Sequence, residues 1–187
     1  MPAFDELVQP LRGERVALRL ATERDIPETL IAHQDDPQMH VHLGQDRPPS
    51  GAELGRRAER EPVERAAGVR VALTILTPGS EDCRGQIEVH GADWEHERAS
   101  LGIWVAPGYR GRGVARDALR LAGGWLFSTN GLRRLALLTE PGNEPMIRAA
   151  RAAGFAQEGL LRSYGRERGR RVDLAVLSLI PADLEAR

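Results

Sequence analysis

A chain of 187 residues, 41% of them hydrophobic, is long enough to bury a real core in one domain. Its net charge of −1 offers no global attraction to nucleic acid or to an anionic membrane. All 26 basic residues are arginine, so no side-chain ammonium can form a Schiff base, and a single cysteine, Cys83, excludes an intrachain disulfide and a thiolate metal cluster.

The segment 1–10 carries Asp5 and Glu6 and has no apolar core, so no secretory signal is expected. No apolar run approaches the ~20 residues of a membrane span. With the lone cysteine, this favours a cytoplasmic protein. Val16 to Leu20 alternates as a first strand. Thr22 and Asp25 then form a shortened capping box, with Pro27 near the start of a helix running from Glu28 to Gln34. Between Asp35 and Gly68 the pattern is poorest. His40 to Gly44 and the turn Pro48-Pro49-Ser50-Gly51 separate two helical pieces, and Ser50 with Glu53 opens a polar helix toward Glu61. His33, His40 and His42 lack the accompanying ligands that would make a metal site, and none is expected.

Val69 to Leu76 reads as a strand, and Gly85 to His90 as its returning partner. On the second, Ile87 and Val89 face one way while Gln86, Glu88 and His90 face the other. Cys83 falls in the intervening turn, where no nucleophilic role is expected. After a polar turn from Ala92 to Arg98, Ser100 to Val105 is the next strand. The following helix, Val114 to about Ser128, carries an apolar stripe of Val114, Ala118, Leu121 and Trp125, with Arg116 and Arg120 facing away. Gly123-Gly124 inside it predicts close approach of another backbone, since each glycine costs roughly 1 kcal/mol there. Leu132 to Thr139 is a strand. Asn143 opens a short helix that Gly154 ends before Phe155. A strand from Glu158, a turn from Gly165 to Arg171 and a last strand from Val172 to Ile180 close the chain. Hairpins followed by strand–loop–helix argue a mixed sheet with helices packed on it.

The stretch Ile103 to Ala115 carries the chemistry. An apolar strand breaks at Pro107-Gly108, passes through a glycine- and arginine-rich loop and becomes helix at Val114. Free N–H groups and the positive end of a helix dipole make such a place an anion site, and Gly111 and Gly113 allow close approach. A P-loop would follow the last glycine with Lys and Ser/Thr, but Val114 stands there. A dinucleotide fingerprint would need a third glycine, where Arg116 stands. The remaining pattern is Arg-x-x-Gly-x-Ala, met by Arg110, Gly113 and Ala115.

With its flanks, this stretch resembles the acyl-CoA pyrophosphate loop of the GNAT superfamily of N-acetyltransferases. The Asn143 helix ending Ala153-Gly154-Phe155, the run Glu158 to Arg162 and the C-terminal Arg171-Val172-Asp173 resemble its RimJ/RimL-type branch, whose named members acetylate N-terminal amines of ribosomal proteins. The resemblance implies an α/β (α+β) fold in a single domain spanning 1–187. Its one mixed, mostly antiparallel twisted sheet is splayed at the acyl-CoA site and flanked by helices. It also implies an N-acetyltransferase that takes acetyl-CoA as donor and a primary amine, on a protein N-terminus or a small molecule, as acceptor. Ile103, Trp104 and Val105 would offer backbone to the pantetheine arm, with the Val105 N–H on the thioester carbonyl. Arg110, Gly111, Arg112, Gly113, Val114 and Ala115 would hold the pyrophosphate, and Asn143 would bond the pantetheine unless it is a plain helix cap. Homodimers are common among such proteins, though no residue here shows one.

The proton-transfer residues depart from the family. Ala150 stands where many members have a tyrosine acid, Met146 where the RimL-type pattern has serine, and Ser100 where a carboxylate often starts the strand. Glu88, His90 and Tyr164 are the remaining catalytic candidates. Those departures motivate an alternative, a catalytically weak acyl-CoA-binding or sensing module. A nucleic-acid binder using Arg110, Arg112, Arg116 and Arg120, or Arg166, Arg168, Arg170 and Arg171, is opposed by the acidic balance and by 4% aromatic content.

Overall fold

The computed structural model describes residues 3–167 and 169–185. Its eight strands are β1 (Leu11–Arg12), β2 (Ala17–Leu20), β3 (Arg70–Leu76), β4 (Gly85–Asp93), β5 (Arg98–Val105), β6 (Arg134–Thr139), β7 (Ala156–Glu167) and β8 (Arg170–Leu179). They form one sheet in the order β1-β2-β3-β4-β5-β6-β8-β7. Six helices accompany it: α1 (Ile26–Asp35), α2 (Met39–His42), α3 (Gly51–Ala66), α4 (Val114–Ser128), α5 (Glu144–Ala153) and α6 (Pro181–Glu185). Every neighbouring pair is antiparallel except β5 and β6. That exception follows from connectivity, because α4 is the crossover between them and a parallel pair requires one.

One sheet face carries Leu18, Leu73, Ile75, Ile87, Val89 and Leu101, all buried, and packs with Ala118, Leu119, Ala122 and Leu126 of α4. Period-two alternation puts Arg70, Ala72, Gln86, Glu88 and His90 on the opposite face. The short β1 and the extension of β4 to Asp93 lie beyond what the alternation in the sequence suggests.

The start of the first helix is more than a cap. Asp25 accepts from Thr22 N–H at 3.0 Å, as a capping box requires. It also takes both Nη atoms of Arg19 at 3.0 and 2.7 Å and the Thr74 hydroxyl at 2.6 Å. A buried carboxylate thereby joins β2, β3 and α1. At α3, Glu53 reaches back to Ser50 N–H at 2.8 Å while Ser50 Oγ accepts from Glu53 N–H. This helix runs past Glu61 and through Pro62 to Ala66.

Three expectations need correction. Gly123 and Gly124 do not admit a backbone: a Cβ on Gly123 would meet Leu179 Cδ2 at 2.9 Å, and one on Gly124 would meet nothing within 4 Å. Arg120 does not face away, since it donates to the carbonyls of Ala153 and Leu184 at 3.3 Å each and ties α4 to the ends of α5 and α6. The last hairpin is tighter than a turn from Gly165 to Arg171, because Arg166 pairs with Arg171 and Glu167 with Arg170. Arg168 lies outside the described residues. No helix among the described residues is long and apolar enough to cross a membrane.

Candidate active site

The sheet opens between β5 and β6. Their pairing stops at Leu101 with Leu137, although β5 continues to Val105 and β6 to Thr139. Each strand follows its other neighbour: β4 holds β5 as far as Val105, and β8 holds β6 as far as Thr139. The gap is therefore built into the sheet. Ala106 N–H donates to Arg84 O on the strand side at 2.9 Å. By alternation along the strand, the Val105 N–H faces the other edge, into the splay.

The loop that follows ends the strand by geometry. Pro107–Tyr109 makes one tight turn, with Tyr109 N–H on Ala106 O at 2.8 Å. Gly111 and Gly113 hold φ of 71° and 81°, a region that disfavours any side chain with a Cβ. Gly113 is the N-cap of α4 and brings no capping side chain. The first intrahelical bond runs from Asp117 N–H to Gly113 O, so the N–H groups of Val114, Ala115 and Arg116 precede it. These donors, and the positive end of a fifteen-residue helix, line a cavity of about 780 Å³. The same cavity is lined by Ile103, Trp104 and Val105 from one wall and by Asn143 from the other. A bare helix start beside a splayed strand edge suits a pyrophosphate joined to an extended amide-bearing arm.

The loop's arginines serve the protein itself. Arg110 Nε donates to Val105 O at 2.8 Å, and its Nη1 lies 2.6 Å from Asp36. Arg116 pairs with Asp117 at 2.6 Å. Arg112 stands over Tyr109 with its guanidinium carbon 5.9 Å from the ring centre, and Arg84 lies 4.6 Å from the same ring. Together with Arg120, this set is largely spent on internal contacts, which weakens its use as a nucleic-acid surface.

Asn143 is the N-cap of α5. Its Oδ1 accepts from Met146 N–H at 3.3 Å, and its Nδ2 donates to Thr139 Oγ1 at 3.1 Å. It caps the helix while remaining on the cavity wall. Gly154 ends α5 at φ 113°, and Phe155 behind it is buried.

A second cavity, of about 350 Å³, lies under α3 on the polar face of the sheet. It meets the first at Leu43, His90, Gly102, Ile103 and Trp104. Gly102 sits opposite Glu88 in the ladder, and a Cβ there would meet nothing within 4 Å, so the wall between the cavities is open. His90 is exposed at this junction. Glu88 is committed elsewhere: its carboxylate takes Arg70 Nη2 at 3.0 Å and Nε at 2.9 Å. Burial pushes the Glu88 carboxyl up, but the bonds and charge of Arg70, with His90 and Arg57 adding less, hold it below the ordinary carboxylate range. Tyr164 is 60% exposed on β7 and lines neither cavity. The structure thus places His90 where the two cavities meet and Glu88 in the smaller one, and leaves Tyr164 apart. Ala150 is fully buried in α5, and Met146 lines the larger cavity without a proton to give.

Residues that no local pattern singles out complete the site. Arg70 and Glu64 (Nη1 to Oε2, 3.1 Å) share the Glu88 pair, and Arg57 and Glu61 project from α3 into the smaller cavity. No group of three or more His, Cys, Asp or Glu placed to hold a metal occurs among the described residues. Cys83 is buried, and burial pushes its thiol up to about 12, consistent with an inert side chain.

Comparison with known proteins agrees with this geometry. A family described as the acetyltransferase (GNAT) domain matches residues 15–156. The chain is 29% identical over 108 residues to the uncharacterized N-acetyltransferase p20 of Bacillus licheniformis, covering 58% of this chain and 61% of that protein. It is 35% identical over 77 residues to the spermidine N(1)-acetyltransferase of Escherichia coli strain K12, covering 41% of each. The matches thus span less than two thirds of these relatives' own lengths. Among solved structures, Mycobacterium smegmatis RimJ in complex with CoA-disulfide shares the fold, with a TM-score of 0.81 at 24% identity over 94% of this chain and 88% of that one. Matched over most of its length and folded with the splay and bare helix start described above, the chain belongs to the GNAT acetyltransferase family.

Proposed function

We propose that this protein is an acetyl-CoA-dependent N-acetyltransferase, one catalytic unit over residues 1–187, that moves an acetyl group to a primary amine by direct attack. One observation carries the reading: the β5–β6 splay ends at the uncapped start of α4 and opens, at Gly102 and His90, into a second cavity on the other side of the strand. A donor and an acceptor could thus approach one backbone edge from two sides.

In this reading the N–H groups of residues 111–115 hold the pyrophosphate, that of Arg110 being taken by Pro107 O at 3.2 Å, and the exposed edge of Ile103 to Val105 aligns the pantetheine arm. Asn143 adds a polar contact from the opposite wall. The Val105 N–H stabilises the oxyanion that develops as the amine attacks, a contribution that typically amounts to a few kcal/mol. Holding both partners at the junction supplies much of the rest. His90 takes the proton from the attacking amine, since imidazole is the side chain best suited to exchange protons near neutrality. Glu88, ionised and pinned by Arg70, is the poorer acceptor. A thiolate whose conjugate acid lies near ~8.5 leaves without a strong dedicated acid, which fits the absence of one at Ala150 and Met146. A cytosolic setting fits the single buried, free thiol.

The locked Glu88 also favours a second reading, a weakly catalytic acyl-CoA-binding module. An acceptor screen with acetyl-CoA, following thiol release, separates the two. Transfer to at least one amine, cut ten-fold or more by His90→Ala, supports the enzyme. Thermal stabilisation by acetyl-CoA without transfer to any amine or peptide favours the binding module. If Glu88→Gln and His90→Ala both keep full turnover, the assignment of the base fails.

A further inference from the structure

The smaller cavity carries a charge pattern that bears on the acceptor. Its wall holds four carboxylates, Asp25, Glu61, Glu64 and Glu88, and each has an arginine within reach. Asp25 takes Arg19 at 2.7 Å, Glu61 faces Arg65 at 3.7 Å, and Arg70 holds Glu64 at 3.1 Å and Glu88 at 2.9 Å. The lining arginine Arg60 is likewise paired with Glu64, at 3.4 Å. That leaves Arg57. Among the described residues its guanidinium makes no ion pair or hydrogen bond, although it lines the cavity and the residue is half-buried.

Its position is set by the helix. Leu54, Arg57, Ala58, Glu61 and Glu64 fall at three- and four-residue spacing on α3, and all five line this cavity. Arg57 is therefore held on the inward face. Its charge also reaches Glu88 on the sheet below, where it favours the ionised form, and His33 on α1, where it favours the neutral form. An acceptor with its amine at His90 extends from the junction beneath α3, toward the one lining guanidinium that makes no ion pair among the described residues.

We propose that the acceptor is a small amine carrying an anionic group, carboxylate or phosphate, on the same molecule, and that Arg57 binds that group. A guanidinium suits either anion through paired N–H donors. A polyamine, by contrast, would bring positive charge to a wall whose carboxylates each already face an arginine. The inference rests on the reading of the junction as an acetyl-transfer site.

The test compares matched acceptors on wild-type protein, Arg57→Gln and Arg57→Lys, with acetyl-CoA as donor. Glycine, β-alanine and 4-aminobutyrate vary the spacing between amine and carboxylate. Phosphoethanolamine supplies the phosphate, 4-aminobutyramide the neutral analogue, and putrescine and spermidine the cations. The expected result is a KM at least ten-fold lower for the best anionic acceptor than for the neutral analogue. That ratio should collapse toward one in Arg57→Gln and recover in part in Arg57→Lys. Whichever of the carboxylate and phosphate arms shows the larger Arg57 dependence identifies the anion. A preference for spermidine, or an anionic preference that Arg57→Gln leaves intact, overturns the inference while the transferase reading stands. If no amine is acetylated although acetyl-CoA binds, the transferase reading fails instead. Calorimetry of 4-aminobutyrate and phosphoethanolamine on CoA-saturated protein then decides Arg57's role: binding lost in Arg57→Gln supports it, and no binding to wild type ends it.

Discussion

Arg110 Nη1 lies 2.6 Å from Asp36 Oδ2, while Nε of the same guanidinium donates to Val105 O at 2.8 Å. One side chain thus fastens the loop before α4 to the strand edge at the splay and to the turn after α1. Asp36 is the C-terminal cap of α1, and its carboxylate also accepts from Gln38 N–H at 3.0 Å. Burial raises the Asp36 carboxyl, but the bond from Arg110 and then that from Gln38 N–H outweigh it and leave it below its ordinary value. The contact joins the donor loop to helices on the acceptor side.

Arg110→Ala is therefore expected to loosen the loop without unfolding the protein. The pair is partly exposed, so its loss should cost about 1 kcal/mol, roughly a five-fold rise in the KM for acetyl-CoA. Asp36→Ala should do about the same, and the double variant little more than either alone. Additive effects in that double-mutant cycle would show that the two residues act independently.

The adjacent glycines of α4 should respond oppositely to the same change. A Cβ on Gly123 meets Leu179 Cδ2 at 2.9 Å, with Leu184 Cδ1 also near at 3.6 Å. Gly123→Ala should destabilise by about 1–3 kcal/mol through overpacking. Gly124 faces open space, so Gly124→Ala should stabilise by roughly 0.5–1 kcal/mol through helix propensity. Denaturant midpoints of the two variants read the difference directly. Equal shifts would refute the packing assignment.

The contrast also shows what the sequence makes legible. The strand–loop–helix from Leu101 to Ala115 and the Asn143 to Gly154 helix are visible because their signals are local: alternation, a Pro-Gly break, a capping side chain, a terminal glycine. Gly123 is visible as an anomaly, but what fills the space above it comes from β8 and α6, more than fifty residues away. The pairing of Arg70 with Glu88 escapes notice for a similar reason. They lie on neighbouring strands, and only the register Ala72 to Glu88 and Arg70 to His90 brings them together. Arg57 lies on a helix whose polar sequence suggests a solvated flank, and only its placement over β3 and β4 turns one face inward. Glu88 and His90 share a face by period two, yet alternation alone cannot tell that one is paired and the other exposed.

Acid should reveal the contact that holds the final strands. Glu158 takes Arg134 through both oxygens and accepts the Ser178 hydroxyl at 2.6 Å, joining β6, β7 and β8. The bonds from Arg134 and then Ser178 hold its carboxyl down to about 2. A carboxyl depressed in the folded state stabilises the fold above its unfolded value, near ~4.3. That contribution fades as pH falls from there toward about 2. The melting temperature should therefore drop over this window in wild type, and Glu158→Gln should drop less. Parallel curves would show that other groups dominate acid unfolding.

Gly113→Ala tests the donor cradle most directly. At φ 81° an alanine is strained by roughly 1–2 kcal/mol, and nearby side chains are close, with Arg116 Nη2 3.4 Å and Arg15 Nη1 3.6 Å from the new Cβ. Both are ends of flexible chains that can move aside, so packing alone does not forbid the substitution. The backbone can relieve the strain by rotating toward negative φ, which would turn the N–H groups at the head of α4 away from the cavity. Affinity for acetyl-CoA and for CoA itself should then fall about ten-fold or more, because both carry the pyrophosphate. Affinity for a pantetheine fragment lacking phosphate should change little. Calorimetry with all three ligands checks this, and equal losses for the fragment and for CoA would place the damage in the splay rather than at the helix start.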